Sequence, residues 1–377
     1  MTSAHDLTAI AIAMQTRIPV FLWGPPGVGK TSVLESMSRA LHERMWTVLL
    51  SIREPQDLGG LPVITPKGVK LHPPLWANEL IANKGGVVFF DEFNTSAPTT
   101  QSAALRVIYG GYAGDERLPS ETTSFVLAGN RADQSAGGYD LTGAIANRMV
   151  HFDFTPDSND WCAGMLSGWP DVAVRRLPKD WQDGIASKRG LTAAFITVKP
   201  TLLNALPASH SEQGKAWPSG RTWEYVATLL AACDSLGLAA RSTEARLLVN
   251  GAIGEGAAKE FFHWLVNMDL PDPEAVLANP KKIDIPMRQD QIMALLDSVS
   301  AAAIDRNRSD KLREQRYYAA WQFIGRLCDD GVPDMTLPAC RTLAKNMPAS
   351  VDRNLPPETE KILPILKKSG VNFSREI

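Results

Sequence analysis

Apolar and polar positions along the first 156 residues follow two periods in turn. Short apolar runs with strand character occur at 19–24 (PVFLWG), 46–52 (WTVLLSI), 87–90 (VVFF), 124–129 (SFVLAG) and 149–154 (MVHFDF). Between most of them the apolar residues return at helical spacing, as in Val33, Leu34, Met37 and Leu41, or in TTQSAALRVIYGG. Strands alternating with helices predict a mostly parallel sheet covered on both faces. The stretch LPVITPKGVKLHPP (61–74) breaks the alternation. Two strand-like pieces flank a turn at Pro66–Gly68, which predicts a hairpin inserted into the regular order.

Beyond Pro156 the strand signal fades and helical patterns dominate, in DWCAGMLSG, LTAAFITV, TWEYVATLLAACDSLG and the long stretch 244–267. A proline-rich passage at 271–286 marks a further boundary, followed by helical patterns at 287–304 and 309–329 and a weakly patterned tail. Three segments are therefore expected: an α/β domain over 1–156, an all-α domain over 157–270 and a helical extension over 271–377.

Composition narrows the partners more than the fold. A chain of 377 residues, 44% hydrophobic and 21% charged, has the make-up of an ordinary globular protein of two or three domains. Its 39 basic residues stand against 41 acids, so no positive excess advertises nucleic acid, an unlikely partner on this ground. Cys162, Cys233, Cys328 and Cys340 form no CxxC, and the six histidines show no metal-ligand spacing, which predicts a reduced, cytoplasmic setting. The opening MTSAHDLTAIAIAMQTR lacks the basic leader of a signal peptide, and no run of about 18 apolar residues predicts a membrane span. Trp161, Trp169, Trp181, Trp217, Trp223 and Trp264 fall in the helical region and are expected in its core.

The chemistry concentrates in GPPGVGKT, which matches G-x-x-x-x-G-K-[ST] and has a strand before it and a helix after it. Glycines let successive N–H groups curl around phosphate oxygens, and the helix start adds partial positive charge. The candidate phosphate cradle is Gly24, Pro25, Pro26, Gly27, Val28, Gly29, Lys30, Thr31 and Ser32, with Lys30 as a point charge and the Thr31 hydroxyl as a ligand for Mg2+. About sixty residues on, VVFF ends in Asp91 and Glu92. Successive strand side chains point to opposite faces, so the two acids are expected to hold different tasks. Asp91 suits the metal, and Glu92 suits a water attacking the γ-phosphate of ATP. A solvated strand end or a helix cap is the competing explanation of the pair. Arg221, behind the predicted cap Ser219, places a cation in a first helical turn where the dipole disfavours it, so an anion should repay it.

In this order the motifs resemble those of AAA+ ATPases, and among them the MoxR group. The likeness rests on the phosphate loop, FFDEFN, PLWANEL (74–80), PTTQSAALRVI (98–108), LAGNRADQ (127–134), AIANRMVHFDF and WPSGRTWEYV, and spans roughly residues 7–265. The resemblance implies a P-loop NTPase core, an all-α lid and, here, a C-terminal helical extension. It implies that Asn130 senses the γ-phosphate, that Arg148, with Arg131 as a competitor for the role, is an arginine finger, and that Arg221 is a second sensor on the lid. It further implies a hexameric ring, engagement of a substrate by the 61–74 hairpin, and remodelling of a protein partner, often one with a von Willebrand factor A domain. NRM, without an acid before the arginine or a phenylalanine after it, departs from the group's pattern at the finger. Two other functions compete: an ATP-dependent assembly switch with little hydrolysis, and a nucleic-acid translocase.

Overall fold

The computed structural model describes residues 3–131, 139–155, 157–268, 270–349 and 351. Its strands are β1 (Val20–Trp23), β2 (Met45–Leu49), β3 (Leu61–Thr65), β4 (Gly68–His72), β5 (Gly86–Asp91), β6 (Tyr112–Ala113), β7 (Glu116–Arg117), β8 (Thr123–Gly129) and β9 (Val150–Asp153). The helices up to the 160s are α1 (Ala4–Gln15), α2 (Lys30–Leu41), α3 (Gln56–Gly59), α4 (Leu75–Ala82), α5 (Pro98–Gly110), α6 (Gly143–Ala146) and α7 (Ser158–Ser167). Then come α8 (Ile185–Val198), α9 (His210–Gln213), α10 (Gly220–Ser235), α11 (Thr243–Ile253), α12 (Glu255–Val266), α13 (Pro273–Ala278), α14 (Gln289–Ala303), α15 (Asp310–Asp329) and α16 (Pro333–Lys345).

Five strands form one parallel sheet in the order β2-β5-β8-β1-β9. The central strands β5 and β8 are buried along nearly their whole length, as strands covered on both faces must be, which is why they read as unbroken apolar runs. This is the α/β core followed by helices that the sequence predicts. The predicted hairpin also forms: β3 and β4 pair antiparallel, and the Leu71 amide is tied at 2.8 Å to Asp115 in the turn between β6 and β7. Its outer residues Ile64 (89% exposed) and Val69 (69%) face each other across the two strands.

Two details differ from the pattern. The run 46–52 stops as a strand at Leu49, and Leu50–Ile52 turn as a 3-10 helix. The long helical stretch 244–267 is two helices, broken at Gly254, whose φ of +78° belongs to the left-handed region. Of the tryptophans expected in a core, Trp223 and Trp264 are buried, but Trp161 and Trp169 are about half exposed.

The chain divides into two compact units, Met1–Pro178 with Asn204–Ala258, and Lys179–Leu203 with Lys259–Ile377. In the first, α10 and α11 pack with α1, and α11 lies on β9 so closely that a Cβ at Gly251 would sit 2.3 Å from the His151 carbonyl. These contacts group the two helices with the sheet. In the second, α8, α13, α14, α15 and α16 enclose a core around Leu295, Tyr317, Trp321 and Phe323. Among the described residues no helix is long and apolar enough to cross a membrane.

Candidate nucleotide site

The loops leaving β5, β8 and β1 share one end of the sheet, because these strands are parallel neighbours. Open α/β sheets bind ligands at this carboxyl end. The Gly24 amide donates to the Gly129 carbonyl at 3.1 Å, so the phosphate loop starts anchored to the end of β8. A Cβ at Gly24 would lie 2.4 Å from the Phe154 carbonyl oxygen, which excludes any larger residue there. Gly29, at φ +91°, is the left-handed residue on which α2 starts.

Lys30 opens α2 and is buried, its ammonium donating to the carbonyls of Gly24 (2.7 Å) and Pro25 (3.0 Å). Burial lowers its pKa, and the charges of Asp91 and Glu92 oppose that shift. Asp91 ends β5; burial raises its pKa, while the Glu92 amide bonded to it at 2.9 Å and the Lys30 charge pull it down. Lys30, Asp91 and Glu92 therefore act on one another, and the structure brings the phosphate loop and both acids into one field. Thr31 and Ser32 follow in the first turn of α2, with Thr31 partly buried and Ser32 exposed.

Strand pleating does not separate the two acids. The strand stops at Asp91, and Glu92 adopts φ +54°, a left-handed conformation uncommon outside glycine. The turn, rather than the pleat, gives Glu92 its own surroundings, where its carboxylate accepts a short hydrogen bond from Ser51 Oγ. Ser51 lies in the 3-10 turn after β2, which pairs with β5. Asn130 follows β8 and is held through its backbone by the side chain of Asn94.

The arginines form a second group. Arg148 donates to the Ala144 carbonyl at 2.5 Å, and its guanidinium lies 5.4 Å from the centre of the Tyr109 ring. The Tyr225 hydroxyl donates to the Arg148 carbonyl at 3.3 Å and lies beside the Tyr109 hydroxyl. Burial pushes the Tyr109 hydroxyl well above the usual tyrosine range, while the positive charges of Arg148 and Arg221 oppose the shift. Arg221 stands in the first turn of α10 behind Ser219, which caps the helix in a capping box with Thr222, as its sequence predicts. Among the described residues neither Arg148 nor Arg221 pairs with a carboxylate, whereas Arg131 pairs with Asp153. Of the motif LAGNRADQ, residues 132–134 lie outside the described residues.

A divalent cation fits the donor set. Thr31 supplies a hydroxyl and Asp91 a carboxylate, both hard oxygen ligands, and among the described residues no group of three or more His, Cys, Asp or Glu could cage a metal alone. One carboxylate and one hydroxyl suit Mg2+, which keeps waters and takes phosphate oxygens.

The family model of the AAA domain (dynein-related subfamily) matches residues 19–149, from the residue before β1 to the residue before β9. Residues 19–149 are an AAA domain. The match encloses the phosphate loop, both acids, Asn130 and Arg148, and leaves Arg221 outside. A search of curated proteins returns no match. Among solved structures, one from Cytophaga hutchinsonii ATCC 33406, described as "a putative ATPase", is 18% identical, with a TM-score of 0.47, and the alignment covers 66% of this chain and 80% of that one.

Sequence reasoning missed Ser51, Asn94, Tyr109 and Tyr225. Tyr225 alone carried a readable signal, since it lies four residues after Arg221 on one helical face. The others act through partners distant in sequence.

Proposed function

We propose that this AAA domain hydrolyses ATP in the manner of the MoxR group, within a hexameric ring that remodels a partner protein of the class bearing a von Willebrand factor A domain, in the cytoplasm. The observation that carries the reading is the mutual influence of Lys30, Asp91 and Glu92 at the carboxyl end of β1 and β5. A protein that only stored nucleotide would need the lysine and the first acid, but not a second acid in a strained turn beside them.

In this reading the amides of Gly27–Lys30 and the Lys30 ammonium bind the β- and γ-phosphates, the ammonium exchanging its loop carbonyls for phosphate oxygens. Magnesium, when held by Thr31 and Asp91, offsets phosphate charge. Glu92 orients a water and takes its proton as the water oxygen bonds to the γ-phosphorus; the bond to the bridging oxygen breaks, leaving ADP and phosphate. Asn130 faces the same phosphate.

Arg148 and Arg221 supply charge beside Tyr109 and Tyr225. Two guanidinium groups gathered at one tyrosine pair, with no carboxylate paired to either among the described residues, are suited to an anion from outside the subunit, the nucleotide of the next copy. Delivery to a neighbour requires head-to-tail contacts, which make a ring where the rotation between subunits closes. The Ile64–Val69 face of the hairpin is the surface on which a substrate protein would be engaged.

Glu92→Gln tests the reading. It should abolish ATP turnover while ATP binding and assembly persist, and the ATP-held form should retain a partner. Turnover at the wild-type rate would overturn it.

A further inference from the structure

Asn94 has no role in the chemistry above, yet it is 3% exposed and sits between the two groups assigned to the attacking water. Its side chain makes both possible bonds to one residue's backbone: Nδ2 donates to the Asn130 carbonyl at 2.7 Å, and Oδ1 accepts from the Asn130 amide at 3.1 Å. The amide thus copies a strand neighbour for one residue just past the end of β8. Gly129 leaves room for it, since a Cβ there would lie 2.5 Å from Asn94 Oδ1.

The other end of the contact reaches Glu92. Asn94 lies in the 3-10 turn Phe93–Thr95, and Thr95 closes that turn onto the Glu92 carbonyl through its amide (3.3 Å) and hydroxyl (2.9 Å). The Asn94 carbonyl accepts from the Tyr139 amide at 2.7 Å, so the residue is held on both sides. Gly129 in turn accepts from Gly24. A path of alternating hydrogen bonds and peptide links therefore runs from the phosphate loop through Gly129, Asn130 and Asn94 to the turn of Glu92.

We propose that Asn94 is a positioning residue for hydrolysis, fixing the Asn130 backbone against the Glu92 turn so that the two side chains meet one water in register. The proposal rests on the reading that Glu92 and Asn130 act on that water. A group held about 1 Å out of place can cost on the order of a hundredfold in rate with little effect on binding.

The test compares Asn94→Ala, Asn94→Asp, Asn130→Ala, Glu92→Gln and Asn94→Ala/Asn130→Ala in steady-state ATP hydrolysis, fluorescent-nucleotide binding and thermal melting. Asn94→Asp is isosteric and keeps the acceptor for the Asn130 amide, but an ionised carboxylate cannot donate to the Asn130 carbonyl. Both Asn94 variants should lower kcat by about tenfold to a hundredfold, with KM and nucleotide affinity within about threefold of wild type. The double variant should be no slower than Asn130→Ala alone, because Asn94 acts through Asn130. Wild-type kcat in a folded Asn94→Asp protein, while Asn130→Ala and Glu92→Gln are inactive, would overturn the proposal. So would equal losses of kcat and nucleotide binding in that variant, which would make Asn94 a structural support only. Full turnover by Glu92→Gln and Asn130→Ala would instead defeat the underlying reading of the site.

Discussion

Tyr225 donates its hydroxyl to the backbone carbonyl of Arg148 at 3.3 Å, while Arg221 precedes Tyr225 by one helical turn. The two arginines that the sequence sets 73 positions apart are thereby joined through one tyrosine pair. Tyr225→Phe keeps the ring and removes the bond. A neutral hydrogen bond contributes about 1 kcal/mol, so ATP turnover should fall by about fivefold, with affinity for ATP unchanged. Steady-state hydrolysis beside nucleotide titration checks this; an equal loss in both would place Tyr225 with the protein's own phosphate loop.

Arg148→Ala should lower turnover by about 10³, the scale of a lost arginine finger. Mixing it with Lys30→Ala subunits should restore part of the rate. In a mixed ring, an intact phosphate loop from one variant meets an intact Arg148 from the other. A mixture as inactive as either component would show that Arg148 serves its own subunit's nucleotide.

The phosphate loop was legible in the sequence because its requirements are local: glycines that permit the turn and a lysine at the start of a helix. The central strands β5 and β8 were legible for a similar reason, since burial on both faces leaves an apolar run whatever the partner strand. The conformation of Glu92 was not, because no residue type marks a left-handed glutamate; the turn is held by Thr95 at the Glu92 carbonyl and by Ser51 at its carboxylate. Asn94 itself was hidden because its partner is a backbone 36 positions on. The helices α10 and α11 read correctly as helices, but their packing with α1 and β9 depends on contacts far apart in sequence. The half-exposed Trp161 and Trp169 show that a tryptophan in a helical pattern need not be core.

His151 predicts a loss of stability on acidification. Its Nδ1 accepts from the Trp23 indole at 3.0 Å, so the proton lies on Nε2, which donates to the Ala146 carbonyl at 2.9 Å. The neutral ring is satisfied and buried, and burial lowers its pKa from 6.5 to about 4. In the unfolded chain the ring takes a proton below pH about 6.5, while the folded one resists until about 4. The unfolded state then binds more protons, so stability from this group is complete above pH 6.5 and falls away between 6.5 and 4. The loss is on the order of 3 kcal/mol at its limit. Melting His151→Asn beside wild type at pH 7 and pH 5 should show the variant less stable at pH 7 but losing less on acidification; equal slopes would remove His151 as the cause.

Gly190 offers a test of packing in the second unit. It lies inside α8, where glycine costs about 1 kcal/mol relative to alanine, so in a free helix Gly190→Ala would stabilise. Here α14 crosses too closely for that gain. An added Cβ would sit 2.5 Å from Ser298 Cα and 2.7 Å from the Asp297 carbonyl oxygen, backbone atoms that cannot swing aside. Overpacking of this kind costs about 1–3 kcal/mol, which outweighs the gain in helix propensity. Denaturant unfolding of Gly190→Ala should therefore show net destabilisation, localised by hydrogen exchange to α8 and α14. A rise in stability would mean that the two helices separate readily at this crossing.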